Sequence, residues 1–373
     1  MNRTGVTIAG LDFAMCLARQ QRLRDALCYL NLDLALLAAP GHVHYLTAYW
    51  HRTILKRVVL VQRDGPTVLL VPLAPTAAPA ADEIIEFESN KYATLVDDQL
   101  SVALGMIAAR LAKHIRIGTD NGIRPGILEG KQLVDLEPTM LALRRHKDSD
   151  EVNLLRQATH ASEAAYGWLR ENLCEGIDEV ELFAGIQAAC CRYAGEILGE
   201  CGNDFQVNSP SGNPRRRPAG KGEIGVFDLS TVLRGYSSDM CRSFVVDGEP
   251  SSVQHDAHQR IMEVFDFVET SARAGASCKE LFHSAQQRLD GYRGWQFQHH
   301  LGHGIGLFAH EAPRLNPYYD DRLEVGDVFT VEPGLYSPEL RAGLRIEQIY
   351  HVTETGLQRL TNFPTDLARA DHL

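Results

Sequence analysis

The sequence predicts an α+β chain of two domains, and three observations predict it. The chain has 373 residues, more than one hydrophobic core usually serves. Its first part alternates helical and strand-like apolar patterns, as a mixed α/β domain does. Past residue 145 the order changes to two helices, β-rich segments, two more helices and a long β-rich end. The expected domains are therefore 1–145 and 146–373.

Taken in order, Phe13 to Leu30 has the apolar spacing of a helix, and Leu34 to Ala38 is a short apolar strand. Val58 to Val61 and Thr67 to Val71 are β-rich runs on either side of Asp64-Gly65, which predicts a hairpin. Asp97 to Leu111 reads as a helix. Ile115 to Gly118 reads as a strand that ends in a turn at Asp120-Asn121-Gly122. At the junction, Arg144-Arg145-His146-Lys147 precedes Asp148-Ser149-Asp150-Glu151. Acidic residues ahead of the periodic run Val152, Leu155, Thr159, Ser162, Tyr166, Leu169 mark a helix start. The second domain is expected to hold helices at 150–173, 178–195, 254–273 and 278–290, with β-rich segments at 205–208, at 224–246 and through the C-terminal part. The polar loop Ser209 to Gly222 stands out for Arg215-Arg216-Arg217.

Composition excludes several function classes. The hydrophobic fraction is 45%, the charged fraction 23% and the net charge −11, ordinary for a globular protein. An acidic chain gains nothing from counterion release, so a nucleic-acid partner is not expected. The longest apolar runs, such as Leu32 to Pro40, are too short to span a bilayer. With no secretory signal read at the N-terminus, a cytoplasmic location is the expectation. The eight cysteines (Cys16, Cys28, Cys174, Cys190, Cys191, Cys201, Cys241 and Cys278) contain no C-x-x-C pair and no zinc-ribbon spacing. They are expected to be free thiols, with Cys190-Cys191 packed on a helix.

The chemistry gathers in three segments. Strand residues lead to Asp228, a turn follows near Leu233-Arg234, and a second strand carries Asp239. A hairpin centred between Leu233 and Arg234 would set the two aspartates opposite each other on one face. Glu332 and Glu347 are likewise symmetric about Glu339-Leu340. His303 lies among Gly302, Gly304 and Gly306, which permit close backbone approach. Four gathered carboxylates would repel one another without cations between them. Two divalent ions would cancel their charge and form a two-metal hydrolase arrangement, with ions about 3.5–4 Å apart that activate water and polarise a substrate. Oxygen-rich ligation with one histidine favours manganese, with iron, cobalt and zinc as alternatives. Singly, each residue has a plainer reading: Asp239 paired with Arg242, Glu332 in a turn, His303 as a satisfied histidine.

The motifs Val226-Phe227-Asp228, Gly235-Tyr-x-x-Asp239-x-x-Arg242-x-Phe244, Gly302-His303-Gly-Ile-Gly-Leu-x-x-His310-Glu311-x-Pro313, Val331-Glu332-Pro-Gly-Leu-Tyr336 and Gly343-Leu-Arg345-Ile-Glu347 occur in this order. Together they resemble the pita-bread superfamily, in its prolidase, aminopeptidase P and creatinase branch. The resemblance implies a creatinase-like N-terminal α/β domain and a C-terminal pita-bread catalytic domain. It implies that Asp228, Asp239, His303, Glu332 and Glu347 bind two metal ions, Asp239 and Glu347 between them. It implies that His310 contacts the substrate and stabilises the tetrahedral intermediate, that Glu332 shuttles a proton, and that Arg345 orients ligands from behind. The implied activity is that of an Xaa-Pro dipeptidase or aminopeptidase acting on a short peptide or small-molecule substrate, and the implied assembly is a homodimer.

Three departures stand beside it. Peptidases of this branch carry a Pro-His pair in the loop before the first aspartate. Here that stretch reads Ser211-Gly212-Asn213-Pro214-Arg215-Arg216-Arg217-Pro218, without a histidine. Leu229-Ser230 and Gln348 also differ from the usual pattern. The arginines read either as a solvated basic loop or as a grip on an anionic group of the substrate, since arginine holds carboxylates by paired hydrogen bonds. Two other functions stay open: a non-peptidase enzyme on this fold, such as a C–N hydrolase or a metal-dependent lyase of a small anionic substrate, and a non-catalytic binding module.

Overall fold

A computed structural model describes residues 8–368 apart from 52, 53, 124, 200, 201 and 203. Its contacts divide the chain into two compact units, Gly10–Arg144 and residues 145–368 with residues 8 and 9. In the first unit a six-stranded sheet runs in the order Glu83–Glu86, Thr67–Val71, Val58–Gln62, Leu34–Leu37, Arg116–Thr119, Gln132–Asp135. The hairpin expected at Asp64-Gly65 forms, with Val61 opposite Thr67. Leu34–Leu37 pairs antiparallel on one side and parallel on the other, and all of its residues are buried. A strand covered on both faces reads as an unbroken apolar run, which is how it appears in the sequence. Helix Phe13–Tyr29 is capped by Asp12, whose carboxylate accepts from the Met15 amide at 3.1 Å. Asp120 accepts from the amides of Ala38, Ala39 and Gly122.

Two elements of this unit differ from expectation. The helix predicted over Asp97 to Leu111 is two pieces, Gln99–Met106 and Ala108–Leu111, because the backbone leaves helical geometry at Ile107 (φ −114°). A helix that was not predicted, Pro40–Thr47, begins with proline at its first turn and stops where Ala48 turns left-handed (φ 60°). Proline suits that position because its missing N–H would have had no helical partner. At eight residues the helix is too short to imprint a periodic pattern.

In the second unit, helix Ser149–Asn172 starts where the acidic residues predict. Glu151 Oε2 accepts from the Asp148 amide at 3.0 Å, and Glu151 Oε1 accepts from the Tyr236 hydroxyl at 2.9 Å. This helix packs on Glu179–Ala194, with Cys190 buried. The described cysteines are free thiols; Cys201 lies outside the described residues. A second helix pair, Ser252–Ser271 and Cys278–Leu289, buries Ile261, Val264, Leu281 and Leu289 in one core with strand residues such as Val226, Phe329 and Val331. Among the described residues, no helix is long and apolar enough to cross a membrane.

Two sheets position the chemistry. One runs Met240–Val245, Ile224–Leu229, Phe205–Val207; the other runs Glu311–Leu315, Gly302–Gly304, Val328–Val331, Gln348–Thr353, Gly356–Arg359. They are stitched together near Glu347. Its amide donates to the Cys241 carbonyl at 3.0 Å, and Ser243 Oγ both accepts from the Arg345 amide and donates to the Arg345 carbonyl. Arg242 is fully buried and donates to the carbonyls of Glu347, Phe363 and Pro364 and to Gln348 Oε1. It is therefore not the partner of Asp239, and Gln348 serves as one of its acceptors.

In the arginine loop two of the three side chains pair with carboxylates. Arg215 forks onto Glu179, with Nη2 2.7 Å from Oε1 and Nε 3.0 Å from Oε2. Arg217 forks onto Glu223 at 2.6 and 2.9 Å. Glu179 is fully buried and also accepts from the amides of Val207 and Arg215. A buried carboxylate at the start of a helix needs such donors, and the loop folds back to supply them. Arg216 is exposed to solvent, and the Arg215 and Arg217 side chains are partly exposed.

Candidate metal centre

Three pieces of local backbone geometry bring the acids together. The first is the hairpin between Asp228 and Asp239. Its tight turn is Arg234-Gly235, both at positive φ (48° and 86°), as a two-residue turn of this hand requires. The centre therefore lies one residue later than the symmetry of the two aspartates suggested. Asp228 is opposite Cys241, not Asp239. The partner shifts by two residues, which preserves the face. Asp239 follows the short strand Tyr236–Ser237, and its Oδ1 accepts from Ser230 Oγ at 2.8 Å.

The second is the pairing of Glu332 with Glu347. Val331 is opposite Gln348, and beyond the two glutamates Gly334 is opposite Arg345. Both ladders keep the register that the spacing about Glu339-Leu340 predicts, so Glu332 and Glu347 lie between them, face to face. The third is the Gly302–Gly304 strand. A side chain at Gly302 would fall 1.9 Å from the Thr330 carbonyl oxygen, and one at Gly304 would fall 2.1 Å from that of Ala312. Only glycine lets this strand press between its neighbours, and His303 between them is thereby held at the acids.

The result is a cavity of about 320 Å³ lined by Asp228, Asp239, His303, Glu332 and Glu347 together with Asp204, Ser230, His300, His310 and Arg345. His303 Nε2 lies 3.5 Å from Glu332 Oε1 and 3.7 Å from Asp239 Oδ2, and its Nδ1 is 3.1 Å from the Gly304 carbonyl. Ligand atoms of Asp228, Asp239 and Glu347 lie within 4.8 Å of one another, and so do those of His303, Glu332 and Glu347. Arg345 Nη2 donates to Asp228 and to Asp204, both at 2.9 Å. His310 stacks on His303 with ring centroids 3.8 Å apart and planes at 9°. Arg215, Arg216 and Arg217 do not line this cavity.

Three lining or flanking residues escaped the sequence reading: Asp204, His299 and His300. His299 is pinned, its Nε2 to the Tyr336 hydroxyl and its Nδ1 to the His300 carbonyl. His300 Nε2 reaches within 3.6 Å of Glu332 Oε1. Their place four and three residues ahead of His303, at the mouth of the same glycine-rich strand, was the available signal.

The electrostatics are those of a site short of positive charge. Burial, then the neighbouring carboxylates, push Asp239 and Glu347 well above the usual carboxylate range. Burial pushes Glu332 up to about 8. Burial also raises Asp228, against the pull of Arg345. Burial lowers His303 to about 3, so its imidazole is neutral and able to ligate. Glu332 Oε1 and Glu347 Oε2 are buried without a hydrogen-bond partner. Unpartnered buried carboxylate oxygens are costly unless a cation meets them. Acids, neutral imidazole and orphaned oxygens together fit a divalent-metal centre.

The comparisons with known proteins agree with this geometry. The sequence model of metallopeptidase family M24 matches residues 153–354, a span that includes all five candidate ligands, and that of the creatinase/prolidase N-terminal domain matches residues 19–146. The chain is 33% identical over 248 residues to the putative dipeptidase YkvY of Bacillus subtilis, covering 64% of this chain and 66% of that protein. In fold it is similar to the Xaa-Pro dipeptidase from Bacillus anthracis (TM-score 0.77, 22% identity, 95% of this chain and 99% of that one). It is also similar to the prolidase from Pyrococcus horikoshii OT3 (TM-score 0.76, 22% identity, 94% and 99%). The chain thus belongs to metallopeptidase family M24, with a creatinase/prolidase N-terminal domain ahead of its catalytic domain.

Proposed function

We propose that this enzyme is a dinuclear-metal peptidase that cleaves the amide bond next to proline in short Xaa-Pro peptides or a closely related imide. The observation that carries the reading is the pair of orphaned oxygens, Glu332 Oε1 and Glu347 Oε2, in a cavity that also gathers Asp228, Asp239 and His303. The substrate class comes from the relatives, which are a putative dipeptidase, an Xaa-Pro dipeptidase and a prolidase. Asp228, Asp239 and Glu347 would hold one ion, and His303, Glu332 and Glu347 the other, with Asp239 reaching toward both. Manganese is the first expectation, then iron, cobalt or zinc. When bound, such ions polarise the scissile carbonyl and make water nucleophilic at neutral pH.

The protein's own groups do the rest. Glu332 takes the proton that the attacking water loses and delivers it to the leaving nitrogen, so the proton count balances across the step. His310, exposed at the cavity rim and held flat against His303, donates a hydrogen bond to the carbonyl oxygen as charge builds there. Arg345 holds Asp228 and Asp204 in place and offsets part of the acids' repulsion. A wider groove of about 620 Å³ opens from His300, His303 and His310 and includes Phe282, Phe297, Tyr318 and Tyr319 in its lining, which gives room for side chains of a short peptide.

The alternative is a C–N hydrolase or lyase of a small anionic substrate, whose negative charge, like the free carboxylate of an Xaa-Pro dipeptide, would be met by a cation at the site. Among the described residues lining the metal cavity the guanidinium is that of Arg345, engaged by two carboxylates; Arg314 lines the wider groove and pairs with Asp321 at 3.3 Å, and Arg215 and Arg217 are engaged elsewhere. The peptidase reading is preferred on the relatives, a putative dipeptidase, an Xaa-Pro dipeptidase and a prolidase. A homodimer in the cytoplasm is part of the proposal.

Assays of Ala-Pro, Gly-Pro and a longer Xaa-Pro peptide with manganese, iron, cobalt and zinc should give turnover of at least one dipeptide. Protein that binds metal yet cleaves none of them contradicts the reading. Asp239→Ala should lose at least one ion per chain by elemental analysis and lower kcat/KM by about a thousandfold; full metal content in that variant would break its assignment as a ligand. Arg215→Ala and Arg217→Ala should lower the urea unfolding midpoint and leave KM within about twofold, since their partners are structural carboxylates. A tenfold rise in KM at unchanged stability would instead make them a substrate grip.

A further inference from the structure

The turn that presents His310 is tied down by a buried ion pair. Glu311 Oε1 accepts from the Phe308 amide at 3.0 Å, and Glu311 Oε2 accepts from Lys147 Nζ at 3.0 Å. The two side chains are 5% and 1% exposed. Lys147 is itself fixed, its amide donating to the Gly326 carbonyl at 2.9 Å, one residue before the start of the long helix at Asp148. Gly306 makes room for the pair: a side chain there would fall 2.8 Å from Glu311 Oε2 and 3.0 Å from Lys147 Cε. The Gly306 carbonyl accepts from the Ser237 amide at 2.8 Å, two residues before Asp239. The stretch from Gly306 to Glu311 is thus anchored at both ends, and its last turn lines the cavity with Ala309 and the His310 imidazole.

We propose that Lys147 and Glu311 are positioning residues: their buried pair aims the Gly306–Glu311 turn so that the His310 imidazole stacks on His303 and faces the scissile carbonyl. A buried lysine–carboxylate pair is a poor stabiliser, because lost hydration offsets its attraction and a well-packed apolar pair often does as well. What the pair adds is direction. It draws the Glu311 carboxylate under the turn, and that carboxylate holds the Phe308 amide. The role of His310 rests on the proposed function; the geometry of the turn does not.

The test uses the full chain with manganese and three variants: Lys147→Met, Lys147→Arg and Lys147→Met/Glu311→Gln. The double variant buries no charge and keeps an oxygen for the Phe308 amide, so it should fold even if Lys147→Met does not. It should bind as much metal as wild type and unfold at a similar midpoint. Amide exchange in the 305–311 peptide should nevertheless be faster, and kcat on Ala-Pro should fall about tenfold with a smaller change in KM, the pattern of an interaction made in the transition state. Lys147→Arg should recover most of the loss. Exchange and kcat both within twofold of wild type in the double variant would overturn the proposal, as would a kcat loss that tracks metal loss. If the wild-type chain cleaves no Xaa-Pro peptide, the functional reading fails, and the exchange measurement alone decides the role of the pair.

Discussion

The mutual repulsion of four gathered carboxylates, three of them buried and Asp228 half-buried, is the constraint around which the catalytic unit is arranged. Asp228, Asp239, Glu332 and Glu347 line one cavity, Asp204 adds a fifth carboxylate at its edge, and Arg345 is the guanidinium that answers them. Like charges at these separations in a buried place do not all ionise unaided. Every one of the four main acids is accordingly driven toward its protonated form, with burial as the leading cause. The same burial keeps His303 and His299 unprotonated. A site of this kind stores a demand for cations, and divalent ions are the species that satisfy it with the ligands present.

The fold sustains that arrangement by spending backbone precision around it. The Gly302–Gly304 strand is pressed so close to Thr330 and Ala312 that a β-carbon is excluded. Arg242, wholly buried, ties the strand after Asp239 to the Glu347 segment through main-chain carbonyls. Ser243 and Arg345 exchange two hydrogen bonds between the sheets. Such main-chain contacts hold the ligating side chains where repulsion would otherwise separate them. Charge away from the cavity is handled differently: Arg215, Arg217 and Arg145 each answer a carboxylate directly, Glu179, Glu223 and Asp327.

Much of this was legible in the sequence, for identifiable reasons. Glu332 and Glu347 sit at equal distances from a turn, and the ladders on both sides of them keep that register. The same arithmetic at Asp228 and Asp239 missed by one turn residue, because Arg234-Gly235 supplies the positive φ values and so defines the centre. It still put both acids on the correct face, since a strand's side-chain period is two. The glycines around His303 were readable as close approach. The fates of the charged runs were not. Arg215 finds Glu179 across 36 residues and Lys147 finds Glu311 across 164, and no local pattern encodes such partners. The acidic residues Asp148 to Glu151 announced a helix start, and the run Arg144 to Lys147 ahead of them said nothing about what its cations meet. His299 and His300 were passed over because neither belongs to the spacing that singled out His303 and His310.

The central claim, that the buried acids exist to hold two divalent ions, is most directly tested by calorimetric titration of chelator-stripped protein with manganese. The account predicts a stoichiometry of two ions per chain and proton release on binding, with an unfolding temperature that climbs as free manganese rises, because a ligand that binds only the folded state stabilises it. A stripped protein that takes up no manganese and unfolds at the same temperature with or without the ion would contradict it.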